Sequence, residues 1–182
     1  MFEMILPFLA LLISLTLAAV IIIPYFYGAL WYPVPKKVAR HALELCKPSP
    51  GETLYDLGCG DGRVLLIGAK EFGLKGVGVE IDPIKTWFAR WRIKNAKLSS
   101  QISIERRNAI GFNIGQADVI FIYLSHQAID QLLPTLKKQM KSGARLVSYR
   151  FCLKGEVPDK FMEHVSIFLY KFNKGKSVNI YS

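Results

Sequence analysis

The sequence predicts an α/β fold: a doubly wound, mostly parallel sheet with a C-terminal β-hairpin, preceded by one N-terminal transmembrane helix. Three observations carry this. A β-prone lead-in, Leu54-Tyr55-Asp56-Leu57, runs into glycines at every second position, Gly58-Cys59-Gly60-Asp61-Gly62, and then into an apolar-periodic run from Val64 to Phe72. Strand-like and helix-like segments alternate from there to Phe151, the pattern of βαβ units with right-handed crossovers. From Met4 to Pro35 no side chain is charged, and Met4 to Ile23 is almost continuously apolar.

About 20 apolar residues span a bilayer core as a helix, so residues 1–30 are expected to form a membrane anchor. A cleaved signal peptide fits less well, because Glu3 is the one charge ahead of the run and there is no positive n-region. A hydrophobic hairpin buried against the domain is the alternative. The first charges after the run are Lys36, Lys37 and Arg40, which by the positive-inside rule puts the domain of residues 31–182 in the cytoplasm of a single-pass protein. Tyr25, Phe26, Tyr27, Trp31 and Tyr32 suit the interface at the exit.

Lys36 to Cys46 reads as an amphipathic helix with Val38, Ala42, Leu43, Leu45 and Cys46 on its apolar side and Pro35 at its first turn. The first strand and glycine loop follow. Gly76 to Glu80 is the second strand, and Asp82-Pro83 starts a helix to Leu98 that interleaves Lys85, Arg90, Arg92, Lys94 and Lys97 with Trp87, Phe88, Trp91 and Ile93. Ile102 to Glu105 is the third strand. Ala117 to Leu124 is a continuous apolar run, as in a strand buried on both faces of a parallel sheet. A helix from Gln127 to Met140 and a strand from Ala144 to Phe151 come next. Val165–Phe172 and Ser177–Tyr181, joined by Asn173-Lys174-Gly175-Lys176, read as the hairpin. The expected architecture is five strand–helix units plus that hairpin.

At 182 residues the chain holds one domain and an appendage. Lys and Arg number 24 against 14 Asp and Glu, a net charge of +10, and every basic residue lies from Lys36 onward. A polyanionic partner is thereby in question. Cys46, Cys59 and Cys152 are odd in number and widely spaced, and His41, His126 and His164 have no ligand spacing, so neither a disulfide framework nor a metal site is expected.

The glycine loop carries the chemistry. Glycines let backbone approach a ligand closely, and a helix N-terminus adds the positive end of its dipole. Asp56 ends the first strand, and Glu80 ends the second about 20 residues after the turn, where a ribose-hydroxyl acceptor stands in nucleotide folds. The ligand cleft should lie beyond the strand C-termini, at the switch point beside strand one. Asp-x-Gly-x-Gly-x-Gly departs from the dinucleotide spacing Gly-x-Gly-x-x-Gly. It resembles motif I of the class I S-adenosylmethionine (SAM) dependent methyltransferases, which have a Rossmann-like seven-stranded sheet. The resemblance implies SAM as cofactor, with Gly58, Cys59, Gly60 and Gly62 around it and Asp56 beneath its amino-acid part. Glu80 would then accept from both ribose hydroxyls, with Ile81 beside it, and Asn108 would read the adenine amino group.

The end of strand four, which would face the methyl, reads Tyr123-Leu124-Ser125-His126. No Asn/Asp-Pro-Pro-aromatic tetrad holds a planar nitrogen there, and no cysteine is placed to add to a pyrimidine ring. An amine needs less help, because desolvation in an aromatic slot favours its neutral form. Tyr123, Trp31 and Tyr32 are the candidate slot residues. Trp31-Tyr32-Pro33-Val34-Pro35, the run Pro35 to Arg63, Gly78 to Pro83 and Gly143 to Phe151 are similar to one subgroup. These are the archaeal broad-specificity protein-lysine methyltransferases and the mitochondrial lysine methyltransferases for the ATP synthase c-subunit and the adenine nucleotide carrier. That resemblance implies a protein-lysine substrate, with a membrane protein among the candidates. Val34 departs from it, standing where the subgroup has a hydroxyl residue. Anionic lipid is a further candidate contact of the basic surface, and no nucleic-acid recognition module is visible. A lipid or quinone acceptor, an RNA acceptor and a SAM-binding scaffold without turnover stay open as alternatives.

Overall fold

The computed structural model describes residues 2–26 and 32–172, and within the first helix it describes side chains from Ile5 to Ala19. The chain divides into two compact units, Met1–Tyr32 and Pro33–Ser182. Unit one is helix α1, Phe2–Phe26. Leu6, Phe8, Leu12, Leu15 and their neighbours are exposed along it. Among the described residues no helix is long and apolar enough to cross a membrane. The expected transmembrane helix is accordingly not supported by the described residues.

Among the described residues, unit two is built on seven strands. Helix α2 (Lys36–Cys46) precedes β1 (Thr53–Leu57), and α3 (Arg63–Phe72), β2 (Lys75–Glu80), α4 (Pro83–Asn95) and β3 (Ile102–Arg106) follow. Then come β4 (Val119–Ile122), α5 (His126–Gln139), β5 (Arg145–Tyr149), β6 (Lys160–Met162) and β7 (Ile167–Lys171). The order across the sheet is β3-β2-β1-β4-β5-β7-β6. The first five strands are parallel and β7 runs antiparallel beside β5. This is the doubly wound, Rossmann-like arrangement, and its switch point lies between β1 and β4.

Two apolar layers sandwich the sheet. On one face Val38, Ala39, Ala42 and Leu43 of α2, Val64 to Ala69 of α3, and Ala89 and Ile93 of α4 pack on Leu54, Phe121 and Val147. On the other, Ile129, Leu132 and Leu136 of α5 pack on Leu57, Ile120, Ile122 and Leu146. Alternate residues of one strand thus feed opposite layers. Local chemistry sets the helix ends. Asp82 caps α4, its Oδ1 accepting from the N–H groups of Ile84 (2.8 Å) and Lys85 (3.2 Å), with Pro83 in the first turn. The Ser125 hydroxyl caps α5.

Two expectations are corrected. The five strand–helix units reduce to fewer, because β3 returns to β4 through residues 107–118 without a helix, and β5 leads to β6 through residues 150–159 without one. Residues 107–118 cover the second layer instead, with Ile114 and Ala117 buried and the Ile114 N–H bonded to Gln139 Oε1 at 2.8 Å. The hairpin also differs: β7 pairs with β6, and Phe161 stacks on Phe168 at 4.5 Å between centroids. Ser177–Tyr181, the other expected hairpin strand, lies outside the described residues, as does Trp31.

Candidate active site

Asp56 is the last but one residue of β1 and is 2% exposed. Its Oδ2 is buried without a hydrogen-bond partner. Burial, then the nearby Glu80 and Asp61 carboxylates, push its carboxyl well above the usual range. A strand end holding such a group suits a cation from outside the chain, beside which the buried carboxyl gives up its proton and is held as a paired charge.

The loop from Gly58 to Gly62 is held by its own backbone. The Gly58 and Cys59 N–H groups donate to Val79 O at 2.8 and 3.0 Å, and the Gly62 N–H donates to Cys59 O at 2.9 Å. The Gly60 N–H donates to Glu80 Oε2 at 2.9 Å. These four donors are therefore spent within the protein rather than offered to a ligand, which corrects one expectation for the loop. What the glycines supply is backbone shape. Gly58 has φ +87°, and a Cβ there would stand 2.6 Å from Leu124 Cδ2. Cys59 contributes backbone alone: its side chain is buried in the first apolar layer, where burial and the Asp56 charge push the thiol up.

Glu80 is buried at the end of β2. Its Oε2 takes the Gly60 N–H and its Oε1 takes the Asp82 N–H at 2.9 Å, so it ties the loop to the start of α4. Each oxygen keeps a second lone pair for a hydroxyl donor. Ile81, next to it, is exposed and apolar. Asn108 is exposed after β3, and its Oδ1 accepts from the Ile110 N–H at 2.9 Å, closing a local turn. With Arg107, Ile110, Gly111 and Phe112 it lines a hollow of about 450 Å³.

Asp61 is the third acid near the loop; Arg63, two residues on, is a local partner, but no local spacing points to its other one. Arg63 reaches its Oδ2 at 2.7 Å and Arg92 of α4 reaches the same oxygen at 2.5 Å. Burial alone would raise its carboxyl, but the Arg63 hydrogen bonds and the Arg92 charge more than reverse this, leaving it below its usual value. Arg63 also donates to Val34 O at 3.0 Å. Val34 is itself a core residue, so this stretch is fixed to the loop through its carbonyl, without the hydroxyl it lacks.

Because the folded value of Asp61 lies below the unfolded 3.8, its contribution to stability is present above 3.8 and is lost as pH falls through the folded value. Arg92→Gln should cost about 1.5–3 kcal/mol at neutral pH, the range for a hydrogen bond to a charged group. That cost should shrink in strong acid, where Asp61 is protonated with or without Arg92. Denaturant unfolding of both proteins in the two conditions measures it.

Beyond the end of β4, Tyr123 is half-buried, its ring 4.7 Å from that of Tyr149 at the end of β5. The Arg150 guanidinium lies 5.9 Å from the Tyr123 ring centre and 5.6 Å from that of Tyr149. His126 is drawn away onto Phe151, at 4.2 Å. Tyr32 is 64% exposed and belongs to the other unit. Tyr149 and Arg150 are not among the residues that motif and spacing single out. The one signal for them is their place at a strand end beside strand four. Among the described residues no cluster of metal-binding side chains occurs.

Residues 56–160 match the family described as the ANTKMT methyltransferase domain. The chain belongs to that family. It is 35% identical to the protein-lysine N-methyltransferase of Saccharolobus islandicus (strain REY15A), over 80% of this chain and 95% of that one. It is 28% identical to the lysine N-methyltransferase of the ATP synthase C-subunit from Mus musculus, over 70% of this chain and 51% of the mouse protein, so it spans about half the length of that relative. The crystal structure of an RNA methyltransferase from Salinibacter ruber, in complex with S-adenosyl-L-homocysteine, superimposes with a TM-score of 0.78 at 29% identity, over 83% of this chain and 100% of that one.

As a member of this methyltransferase family the chain uses SAM, and the residues present fit it. SAM carries two cations, a sulfonium and an ammonium, and no phosphate. The site offers an unpartnered buried carboxylate at Asp56 and an acid with spare lone pairs at Glu80, and it spends the N–H groups that a phosphate would require.

Proposed function

We propose that this methyltransferase acts on the side-chain amine of a protein lysine. The observation that carries the reading is the Tyr123–Tyr149 pair, at the C-terminal ends of β4 and β5, with a guanidinium already resting on both rings. Tyrosine faces attract a cation and, once water is excluded, favour loss of its proton, because burial disfavours the charged form. The neighbouring Arg150 charge acts in the same direction on an incoming ammonium. Bound SAM supplies an activated methyl, so the chain has to aim the lone pair and keep water out. The names of the archaeal and mouse relatives support lysine as the acceptor. In the same reading, α1 holds the enzyme at a membrane through its exposed aliphatic side chains, with the domain on the cytoplasmic side and a membrane protein within reach.

The test is incubation of detergent-solubilised protein with methyl-labelled SAM and membranes of its own cell. Label recovered as methyl-lysine from a protein band is the expected result. Tyr123→Ala should lower that turnover roughly 10–100-fold, the loss expected from a displaced positioning group, while SAM affinity holds. Label found in RNA, the acceptor that the Salinibacter ruber protein's name states, or in lipid would discard lysine and keep the methyl transfer. SAM binding with no label in any fraction would favour the scaffold.

A further inference from the structure

Helix α4 has two apolar faces. Thr86, Ala89 and Ile93 are buried against the domain. Out of phase with them, Ile84 is 60% exposed, Trp87 65% and Trp91 48%, and their i, i+3, i+7 spacing puts them in one stripe opposite the buried face. A solvent-facing helix side normally carries polar residues, and two tryptophans side by side there are a departure that calls for a partner. The stripe is held in shape: Phe88 stacks on Trp91 at 5.7 Å, with the Arg92 guanidinium 5.9 Å from the Phe88 ring centre. Cations border it. Arg90 and Lys94 run along one flank and Lys85 and Arg92 along the other, by helical position. Lys85 and Arg92 are already paired with Asp82 and Asp61. Arg90 donates to Ile104 O, a neutral acceptor. Lys94 and Lys97 are exposed, as are Arg106 and Arg107 at the end of the edge strand β3 that α4 covers.

The geometry points to this face of α4 as a docking surface for an anionic phospholipid bilayer, separate from α1. Tryptophan prefers the headgroup level, where its ring is dry and its N–H is wet, and basic side chains around it meet the negative surface potential. Charge complementarity excludes a second copy of the chain, which would bring the same cations against these. A single-stranded nucleic acid would use flat rings and cations, but Ile84, in line with the tryptophans, offers no stacking face. The inference does not depend on lysine being the acceptor. It gives the domain a bilayer contact of its own.

The experiment uses the full chain carrying Trp31→Phe, which leaves Trp87 and Trp91 as its tryptophans. It is reconstituted in vesicles of three parts phosphatidylcholine to one part phosphatidylglycerol, with or without bromine on the acyl chains. Bromolipid should quench the emission about twofold, as expected for rings at the headgroup boundary, and high salt should relieve the quenching. Lys94→Gln with Lys97→Gln should weaken docking about fivefold per charge removed. The wild-type chain, with Trp31 as an added background, repeats the comparison if Trp31→Phe folds poorly. Emission indifferent to bromine would overturn the proposal. So would equal, salt-insensitive quenching in pure phosphatidylcholine, or shielding of the tryptophans from acrylamide by an oligoribonucleotide but not by vesicles. Methyl-lysine formation is read separately, so failure here leaves the acceptor reading standing.

Discussion

Asp56→Asn should make the cofactor-free protein more stable and at the same time remove most of its affinity for SAM. Both effects come from one buried carboxyl. Its Oδ2 has no hydrogen-bond partner, and Glu80 and Asp61 stand close enough to raise its proton affinity further. Because its folded value lies above the unfolded 3.8, it stabilises the fold most below 3.8 and loses that contribution as pH rises through the folded value. Asparagine has the same shape and no charge. The gain at neutral pH should be about 1–3 kcal/mol, since folding no longer has to hold a proton on a buried carboxyl and each unit of raised pKa is worth about 1.4 kcal/mol, and it should grow with pH in denaturant unfolding. Binding runs the other way. A cationic amino group set against Asp56 offsets its desolvation, so losing the carboxylate should weaken SAM by about 2–4 kcal/mol, a factor of roughly 30 to 1,000. Wild-type binding should also release a proton, visible in titration calorimetry as a heat that changes with the buffer's ionisation enthalpy. Asparagine at 56 with undiminished affinity would remove Asp56 from the cofactor site.

Gly78→Ala should be the most damaging conservative change in the sheet. Gly78 sits in β2 opposite Asp56 of β1 and Ile104 of β3. A Cβ there would stand 2.5 Å from Ile104 Cδ1, 2.7 Å from Leu65 Cδ1 and 2.8 Å from Cys59 Sγ. Three neighbours from three elements would have to yield together, and all three are buried in one layer. Overpacking of this kind costs about 2–3 kcal/mol, or roughly 4–12 °C in Tm for a chain of this size. The Cys59 contact should carry the damage into the glycine loop, so SAM affinity falls as well. Gly155→Ala is the comparison: its φ is +72° but nothing stands within 4 Å of the added carbon, so it should cost only the left-handed backbone term of about 1–2 kcal/mol. Thermal melts of the two variants that agreed within error would refute the packing argument.

The helices of the domain and the acids at the strand ends were legible because their signals are local. Pro35 and Asp82-Pro83 mark where α2 and α4 begin, and Lys36–Cys46 is found with the limits its periodicity predicts. Asp56 and Glu80 follow from their distance to the glycines. What escaped is long-range. Arg92 meets Asp61 across 31 residues, and Arg63 meets the Val34 carbonyl across 29. Side-chain type and spacing cannot announce such pairs. β6 is three residues long with two of them exposed, so it has no hydrophobic alternation of its own and exists through its pairing with β7. The N–H groups of the glycine loop differ from expectation for a related reason: a turn's sequence sets its shape, and Val79 and Glu80, about twenty residues on, decide where its donors go.

The helix-free return from β3 to β4 bears on the order of assembly. A crossover helix can form early from local contacts, whereas residues 107–118 have only short separate turns, at Asn108, Ala109–Phe112, Asn113 and Ile114–Ala117, to start from. Ile114 reaches its buried place and its bond to Gln139 only after α5 has docked on the sheet. This segment should therefore be the last part of the domain to close in folding and the first to open in the native state. In deuterium exchange its amides should label well before those of β1 and β4, and a further slowing of them by saturating SAM would support the expected place of Asn108 beside the adenine.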